Sequence, residues 1–428
     1  MVRIIVPPDK SISHRAVIFS SLAKGRVEIN NFLFAEDCLS TISVLKSLGI
    51  QITTFSNKRK VVVLGKGKFS FSPPKKALYA GNSGTTMRIM MGVLAGQGFE
   101  SVLDGDQSLR SRPMNRVIRP LEKMGAKIES KEGYPPVRIL PAKLKGAKIE
   151  SQIASAQVKS AILLAGLHAD GRTHYREFIT SRDHTERMLR LFGVKVRRYN
   201  GFLIVDGKMS LQSPSTLFVP GDISSGSFFI SYGLLKTGSK LVLQQVGLNP
   251  TRIGILRVIK RMGGHIRIVE RVNSTEPYGN IVVKSSNLKG IRIKREEIAS
   301  LIDELPIIAV MAAFAKGRTY IEAVDELRVK ECDRVEAIRY NLARFGVDVR
   351  IIEKKGRTDL EIWGTSKFSQ PKSIRTWSDH RISMAFAIML AVLGMDLDVV
   401  DDKNCVGISY PEFWDTLNAV SKGENYGC

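Results

Sequence analysis

Residues 81–98 read GNSGTTMRIMMGVLAGQG, a polar, glycine-rich turn that runs straight into an almost wholly apolar segment. Gly81, Asn82, Ser83 and Gly84 suit a tight turn and an N-cap, so the first N–H groups of the following helix point outward at its positive dipole end. Arg88, one turn inside, adds a full charge there. Beyond it Ile89, Met90, Met91, Val93 and Leu94 leave no polar face, which predicts a helix buried on all sides and too short to span a bilayer. Taken alone the turn is ambiguous, because such turns precede helices that bind nothing as well as helices that hold anions.

Repetition removes part of that ambiguity. Six segments share the pattern of polar start, apolar helix and closing glycine: DKSISHRAVIFSSLAKG from Asp9, the stretch above, SAQVKSAILLAG from Ser155, DISSGSFFISYGLLKTG from Asp222, DELPIIAVMAAFAKG from Asp303, and DHRISMAFAIMLAVLG from Asp379. Short β-type runs follow, among them Val27–Ile29, Val102–Asp104, Leu241–Leu243 and Tyr320–Ile321. A second, amphipathic helix then stops at a hydrophobic-glycine pair: Leu48-Gly49, Met124-Gly125, Phe192-Gly193, Met262-Gly263 or Phe345-Gly346. Five repeats are complete and the sixth runs out after Phe413 and Trp414, so the orphan strand Val2–Val6 is expected to complete it.

A repeat of roughly 70 residues holding two helices and several strands is a small α/β module, not a solenoid turn. The expected architecture is a two-lobed, inside-out α/β barrel of six βαβαββ-type repeats, three per lobe. One lobe spans 9–220; the other combines 1–8 with 221–428 and is completed by the N-terminal strand. Parallel buried helices would gather their polar starts on one face, and two such faces would line a cleft that favours anions through dipoles and through Lys10, Arg15, Arg88, Lys159 and Arg381. Asp222 and Asp379 read as N-caps.

The net charge of +24 points to acidic partners. The basic residues are dispersed and aromatics are sparse, which argues against nucleic acid as partner. Cys38, Cys332, Cys405 and Cys428 lack metal-ligand spacing, so a reducing compartment and no structural zinc are expected. With no signal-like N-terminus and no membrane-length apolar run, a cytoplasmic protein is expected, with no membrane partner.

Two further stretches concentrate charge. In DELRVKECDR, residues 325–334, Lys330 and Arg334 are four apart and would share a helix face, beside Glu331 and Asp333; a solvated helix start reads the same way. In DGDQSLRSRP, residues 104–113, Arg110 and Arg112 precede a proline that opens a helix, and they read equally well as plain surface residues.

Together DKSISHRA, GNSGTTMR, DGDQSLRSRP, SAQVKSA, SRDHTE, PGDISS, IDELP, LRVKECDR and SDHRISMA resemble, in order and along essentially the whole chain, the EPSP synthase family of enolpyruvyl transferases, the 3-phosphoshikimate 1-carboxyvinyltransferases. The resemblance implies transfer of the enolpyruvyl group of phosphoenolpyruvate to the 5-hydroxyl of shikimate 3-phosphate in the shikimate pathway of aromatic amino acid biosynthesis. It implies a glyphosate target with no metal or organic cofactor, acting as a monomer, with 9–220 as the shikimate 3-phosphate side. It gives shikimate 3-phosphate to Lys10, Ser11, Arg15, Ser155, Ala156, Gln157, Ser181, Arg182, Asp303 and Lys330. Phosphoenolpyruvate falls to Lys10, Asn82, Gly84, Arg112, Gln157, Arg334 and Arg381, and catalysis to Asp303, Glu331 and Lys10. Two phosphates and two carboxylates in one site explain so many cations, and two carboxyl groups among them can move the protons.

The chain departs from the family pattern in places. Ile408 stands where many relatives carry a lysine ahead of a run like Ser409-Tyr410-Pro411; His184 replaces the tyrosine of one branch, and Ala156 a second serine. The rival enzyme reading is the related transferase acting on a UDP-amino sugar, whose mobile loop usually carries a cysteine that 104–112 lacks. The rival of another class is a non-catalytic anion-binding or nucleic-acid-binding protein.

Overall fold

The computed structural model describes residues 1–152 and 154–427. Two compact units form, one from Pro8–Val219 and one from Met1–Pro7 with Pro220–Cys428, of which Cys428 lies outside the described residues. Each encloses its own hydrophobic core.

In the Pro8–Val219 unit the apolar segments become the helices Lys10–Leu22, Gly84–Leu94 and Ala156–His168. Each begins on a side chain that accepts an otherwise orphaned backbone N–H: Asp9 from Ile12, Ser83 from Thr86, Ser155 from Val158. Burial runs around every face, since helix packs on helix on one side and a sheet covers the other. The Gly84 and Ala156 helices approach so closely at Gly92 that a Cβ there would lie 2.2 Å from the Ala161 carbonyl oxygen.

Among the described residues three four-stranded sheets surround these helices. In each, a short leading strand lies parallel to the strand after the buried helix, and an antiparallel hairpin completes the set. Lys148–Ser151 pairs in parallel with Arg172–Glu177, which pairs antiparallel with Phe202–Asp206, and that with Arg197–Tyr199. The leading strand of the first repeat comes from the far end of the unit, where Thr216–Phe218 pairs with Lys24–Asn30.

The other unit buries the helices Ile223–Leu235, Leu305–Phe314 and His380–Leu393 and, among the described residues, has two four-stranded sheets. In its last repeat the sheet is reduced, among the described residues, to a bridge between Ile374 and Val400, followed by the helix Phe413–Lys422. The N-terminal strand, expected to complete that repeat, pairs along Val2–Ile5 with Lys240–Gly247 of the fourth repeat. Its contact with the chain end is a bridge from Ile4 to Tyr426.

The hydrophobic-glycine pairs end the outer helices because the chain must enter the left-handed region there. Gly49, Gly125, Gly193, Gly263 and Gly346 have φ of 82°, 91°, 78°, 86° and 79°, values that cost a residue with a Cβ. Among the described residues no helix is long and apolar enough to cross a membrane. Cys38, Cys332 and Cys405 form no disulfide among the described residues.

Candidate active site

In the Pro8–Val219 unit the three buried helices bring their polar starts together. Gln157, in the first turn of its helix, donates to Thr85 Oγ1 at 3.0 Å and accepts from Arg88 Nη1 at 2.8 Å, tying the third helix start to the second. Arg112 folds over the same turn, donating to Asn82 Oδ1 at 2.7 Å, Asn82 O at 3.3 Å and Ser108 Oγ at 3.0 Å. Asn82 is held in turn by Asp106, 2.8 Å from its amide. A Cβ placed on Gly84 would meet Arg88 Nη1 at 2.9 Å and Arg112 Nη1 at 3.5 Å, so the bare backbone of Gly84 sits between two guanidinium groups. Arg110 is elsewhere, paired with Asp104.

At the first helix start Lys10 reaches Asp37 at 2.9 Å. Arg15 is buried and donates to Thr185 Oγ1 at 2.9 Å, Ser160 Oγ at 2.7 Å, Ser11 O at 2.9 Å and Ala156 O at 3.4 Å, so it clamps three helix starts. Beneath them His14 bonds Thr41, and Thr41 bonds Thr86. Burial, then Lys10 and Arg15, hold the His14 imidazole well below its ordinary pKa, which keeps it neutral beside the cations. Ser155 caps its helix, Ala156 follows it, and Ser181 and Arg182 lie in the link between strand Arg172–Glu177 and helix His184–Leu191. Lys159, expected at an anion site, is buried between Glu177 and Glu186.

In the other unit one guanidinium organises the charged residues. Arg334, whose side chain is 1% exposed, donates from Nε to Asp379 at 2.7 Å and from Nη2 to Asp379 at 3.2 Å and to Glu331 at 2.5 Å. Its Nη1 stands 3.9 Å from Asp303 Oδ1 and is a buried donor with no hydrogen bond. Burial works against the charge, yet Asp379, Glu331 and Asp303 together hold the Arg334 pKa above the ordinary guanidinium value. Arg381 turns to the same place, with Nη1 donating to Asp303 O at 3.4 Å and Nε 4.0 Å from its carboxylate.

The helix after DELRVKECDR starts at Arg334 with Asp333 as its cap. Lys330 and Glu331 therefore lie in the loop before it and share no helix face with Arg334, because Asp333 spends its carboxylate on the N–H groups of Val335 and Glu336. Asp379 caps its helix, as read, but its second task of holding Arg334 was not foreseen. Asp222 likewise caps Ser224 and also pairs with buried Arg252 at 2.9 Å. Ile408 ends a short 3₁₀ turn, Asn404–Ile408.

In one unit helix starts carry guanidinium groups and a lysine, and in the other two carboxylates stand beside a buried guanidinium; the first set suits polyanions and the second proton transfer beside a cation. Comparison with known proteins narrows the class: the family model for EPSP synthase (3-phosphoshikimate 1-carboxyvinyltransferase) matches residues 2–417. The chain belongs to the EPSP synthase family. The 3-phosphoshikimate 1-carboxyvinyltransferase of Petrotoga mobilis is 46% identical over 421 residues, covering 97% of this chain and 96% of that protein. Its counterpart in Bacillus licheniformis is 42% identical over 420 residues, with 97% and 96% covered. The solved EPSP synthase of Acinetobacter baumannii superposes with a TM-score of 0.83 at 37% identity, covering 97% of this chain and 94% of that one. The enolpyruvyl transferase NikO of Streptomyces tendae shares the fold at 15% identity, with a TM-score of 0.75 and 97% and 93% covered.

Within this EPSP synthase fold, sequence reading missed which carboxylates hold the site side chains in place. Asp37 holds Lys10, Asp106 orients Asn82, and Asp379 anchors Arg334. The Asp333-x-x-Glu336 spacing was a legible signal for where the Arg334 helix begins.

Proposed function

We propose that the helix-start residues divide between two substrates in the transfer of the enolpyruvyl group of phosphoenolpyruvate to the 5-hydroxyl of shikimate 3-phosphate, with release of phosphate. Arg334 is the observation that carries this reading: a buried guanidinium that gathers Glu331 and Asp303 and keeps one donor, Nη1, unspent. A phosphate or carboxylate oxygen of phosphoenolpyruvate is the partner such a donor lacks. Arg381, Arg112, Asn82, Gln157, Lys10 and the backbone at Gly84 complete the phosphoenolpyruvate set. Shikimate 3-phosphate takes Lys10, Ser11, Ser155, Ala156, Gln157, Ser181, Arg182, Asp303 and Lys330. Arg15 serves it by fixing the helix starts, since its donors already go to Thr185, Ser160, Ser11 and Ala156.

In the addition step Asp303 accepts the proton of the 5-hydroxyl as its oxygen bonds to C2 of phosphoenolpyruvate, and C3 gains a proton from Glu331, with Lys10 balancing the charge. Elimination then breaks the C2–O bond to phosphate and returns a C3 proton to the site. Glu331 thereby recovers the proton it gave, and the proton taken up by Asp303 leaves with the phosphate, so both carboxyl groups return to their starting state and the steps need no further reactant. The reading includes a cytoplasmic monomer without cofactor.

Replacing Asp303 by Asn tests the base role. Asn keeps the side chain's size and loses proton acceptance, so the protein should fold and bind both substrates while turnover drops by on the order of 10²–10⁴. Near-normal turnover with a lower melting temperature would make Asp303 a structural residue.

A further inference from the structure

The link that carries Ser181 and Arg182 is anchored by a buried ion cluster to which no substrate contact has been given. Lys159 has a fully buried side chain, and its ammonium group donates to Glu177 at 3.0 Å and to the Ser181 carbonyl oxygen at 3.3 Å and forms an ion pair with Glu186 at 2.9 Å, all inside the unit. Glu177, the last residue of its strand, grips Ser181 twice. Its Oε1 accepts the Ser181 backbone N–H and its Oε2 the Ser181 hydroxyl, both at 2.7 Å. Residues 178–183 are thereby folded back onto the strand they leave.

Burying a lysine with two carboxylates is a poor route to stability, because desolvation consumes most of the attraction. What the cluster does supply is position. Lys159 compensates the Glu177 charge, and Glu177 fixes both polar groups of one serine.

We propose that Glu177, held by Lys159, is a positioning residue for the phosphate of shikimate 3-phosphate: it fixes Ser181, and with it Arg182, where the phosphate arrives. This rests on the reading that Ser181 and Arg182 receive that phosphate. When the ligand binds, the Ser181 hydroxyl rotates from Glu177 to a phosphate oxygen, while the backbone N–H and Lys159 remain on Oε1. The serine thus changes partner without the loop moving.

Glu177 and Glu186 make a matched pair for the test, because loss of either leaves Lys159 with one carboxylate. Only Glu177 touches Ser181 by the contacts above. Glu177→Ala should raise KM for shikimate 3-phosphate about tenfold or more, with kcat and the phosphoenolpyruvate KM changed far less. Glu186→Ala should lower the melting temperature comparably and leave the shikimate 3-phosphate KM alone. Glu177→Gln keeps the Oε1 contacts, and its new N–H groups turn the serine proton outward, so this variant should restore the wild-type KM or a lower one. Should Glu177→Ala fail to fold, Glu177→Asp retains the charge but falls one methylene short of Ser181, and a raised KM is again expected.

Equal shikimate 3-phosphate KM values in Glu177→Ala and Glu186→Ala, or in Glu177→Asp and wild type, would overturn the positioning role. Ser181→Ala separates the two ways of failing. If it raises that KM while Glu177→Ala does not, the phosphate reading stands and the proposal falls; if it leaves the KM unchanged, both fall.

Discussion

Gly84→Ala places a methyl group 2.9 Å from Arg88 Nη1 and 3.5 Å from Arg112 Nη1. An ordinary contact is about 3.5 Å, so the Arg88 guanidinium must retreat by roughly 0.6 Å. It is tied to Gln157 by a 2.8 Å bond, which a shift of that size would stretch toward the limit of hydrogen bonding. Weakening one such charged bond is worth about 1–2 kcal/mol, or roughly 5- to 30-fold in binding. The backbone itself has no objection, because Gly84 opens a helix and has no positive φ. Alanine there should leave stability unchanged or raise it by a few tenths of a kcal/mol. Steady-state kinetics should therefore show a raised KM for phosphoenolpyruvate, weaker inhibition by glyphosate, and an unshifted melting temperature. An unchanged KM would remove Gly84 from the site, and a collapse of melting temperature together with activity would show that the crowding is not local.

Asp379→Asn keeps an oxygen to cap its helix but strips the charge that faces buried Arg334; breaking such a pair costs about 3–5 kcal/mol, so both the melting temperature and kcat/KM for phosphoenolpyruvate should fall. If only stability fell, Asp379 would be a cap and nothing more. His14 gives a pH dependence: its folded pKa lies below the unfolded value, so the unfolded chain takes up a proton below about pH 6.5 that the folded chain resists, and stability falls by about 1.4 kcal/mol per pH unit in that range. Buried His168 is shifted the same way and adds to the slope. Melting His14→Gln between pH 6.5 and 5 should show a shallower loss than wild type, and an identical slope would refute the buried neutral state of His14.

The fold was largely legible because its signals are local. Apolar runs such as Ile89–Leu94 have no polar face to leave exposed, and Gly49 or Gly193 marks a conformation other residues avoid. The pairing of Val2–Ile5 with Lys240–Gly247 was not legible, since any short apolar strand can satisfy any open sheet edge. Site residues show the same division. Gly84, Arg112 and Gln157 could be located at helix starts from sequence, but inside an all-buried helix no periodicity tells which way a charged side chain turns. Lys159 turns to Glu177 and Glu186, and Arg15 to Thr185 and Ser160. The Arg334–Asp379 pair spans 45 residues and depends on tertiary packing alone.

The most direct measurement is phosphate release from phosphoenolpyruvate by the purified chain, with shikimate 3-phosphate or UDP-N-acetylglucosamine as the acceptor. Phosphate should appear with shikimate 3-phosphate, in step with loss of its free 5-hydroxyl, and not with the UDP sugar. Release with the UDP sugar alone, or with neither acceptor, would contradict the assignment of this chain to enolpyruvyl transfer onto shikimate 3-phosphate.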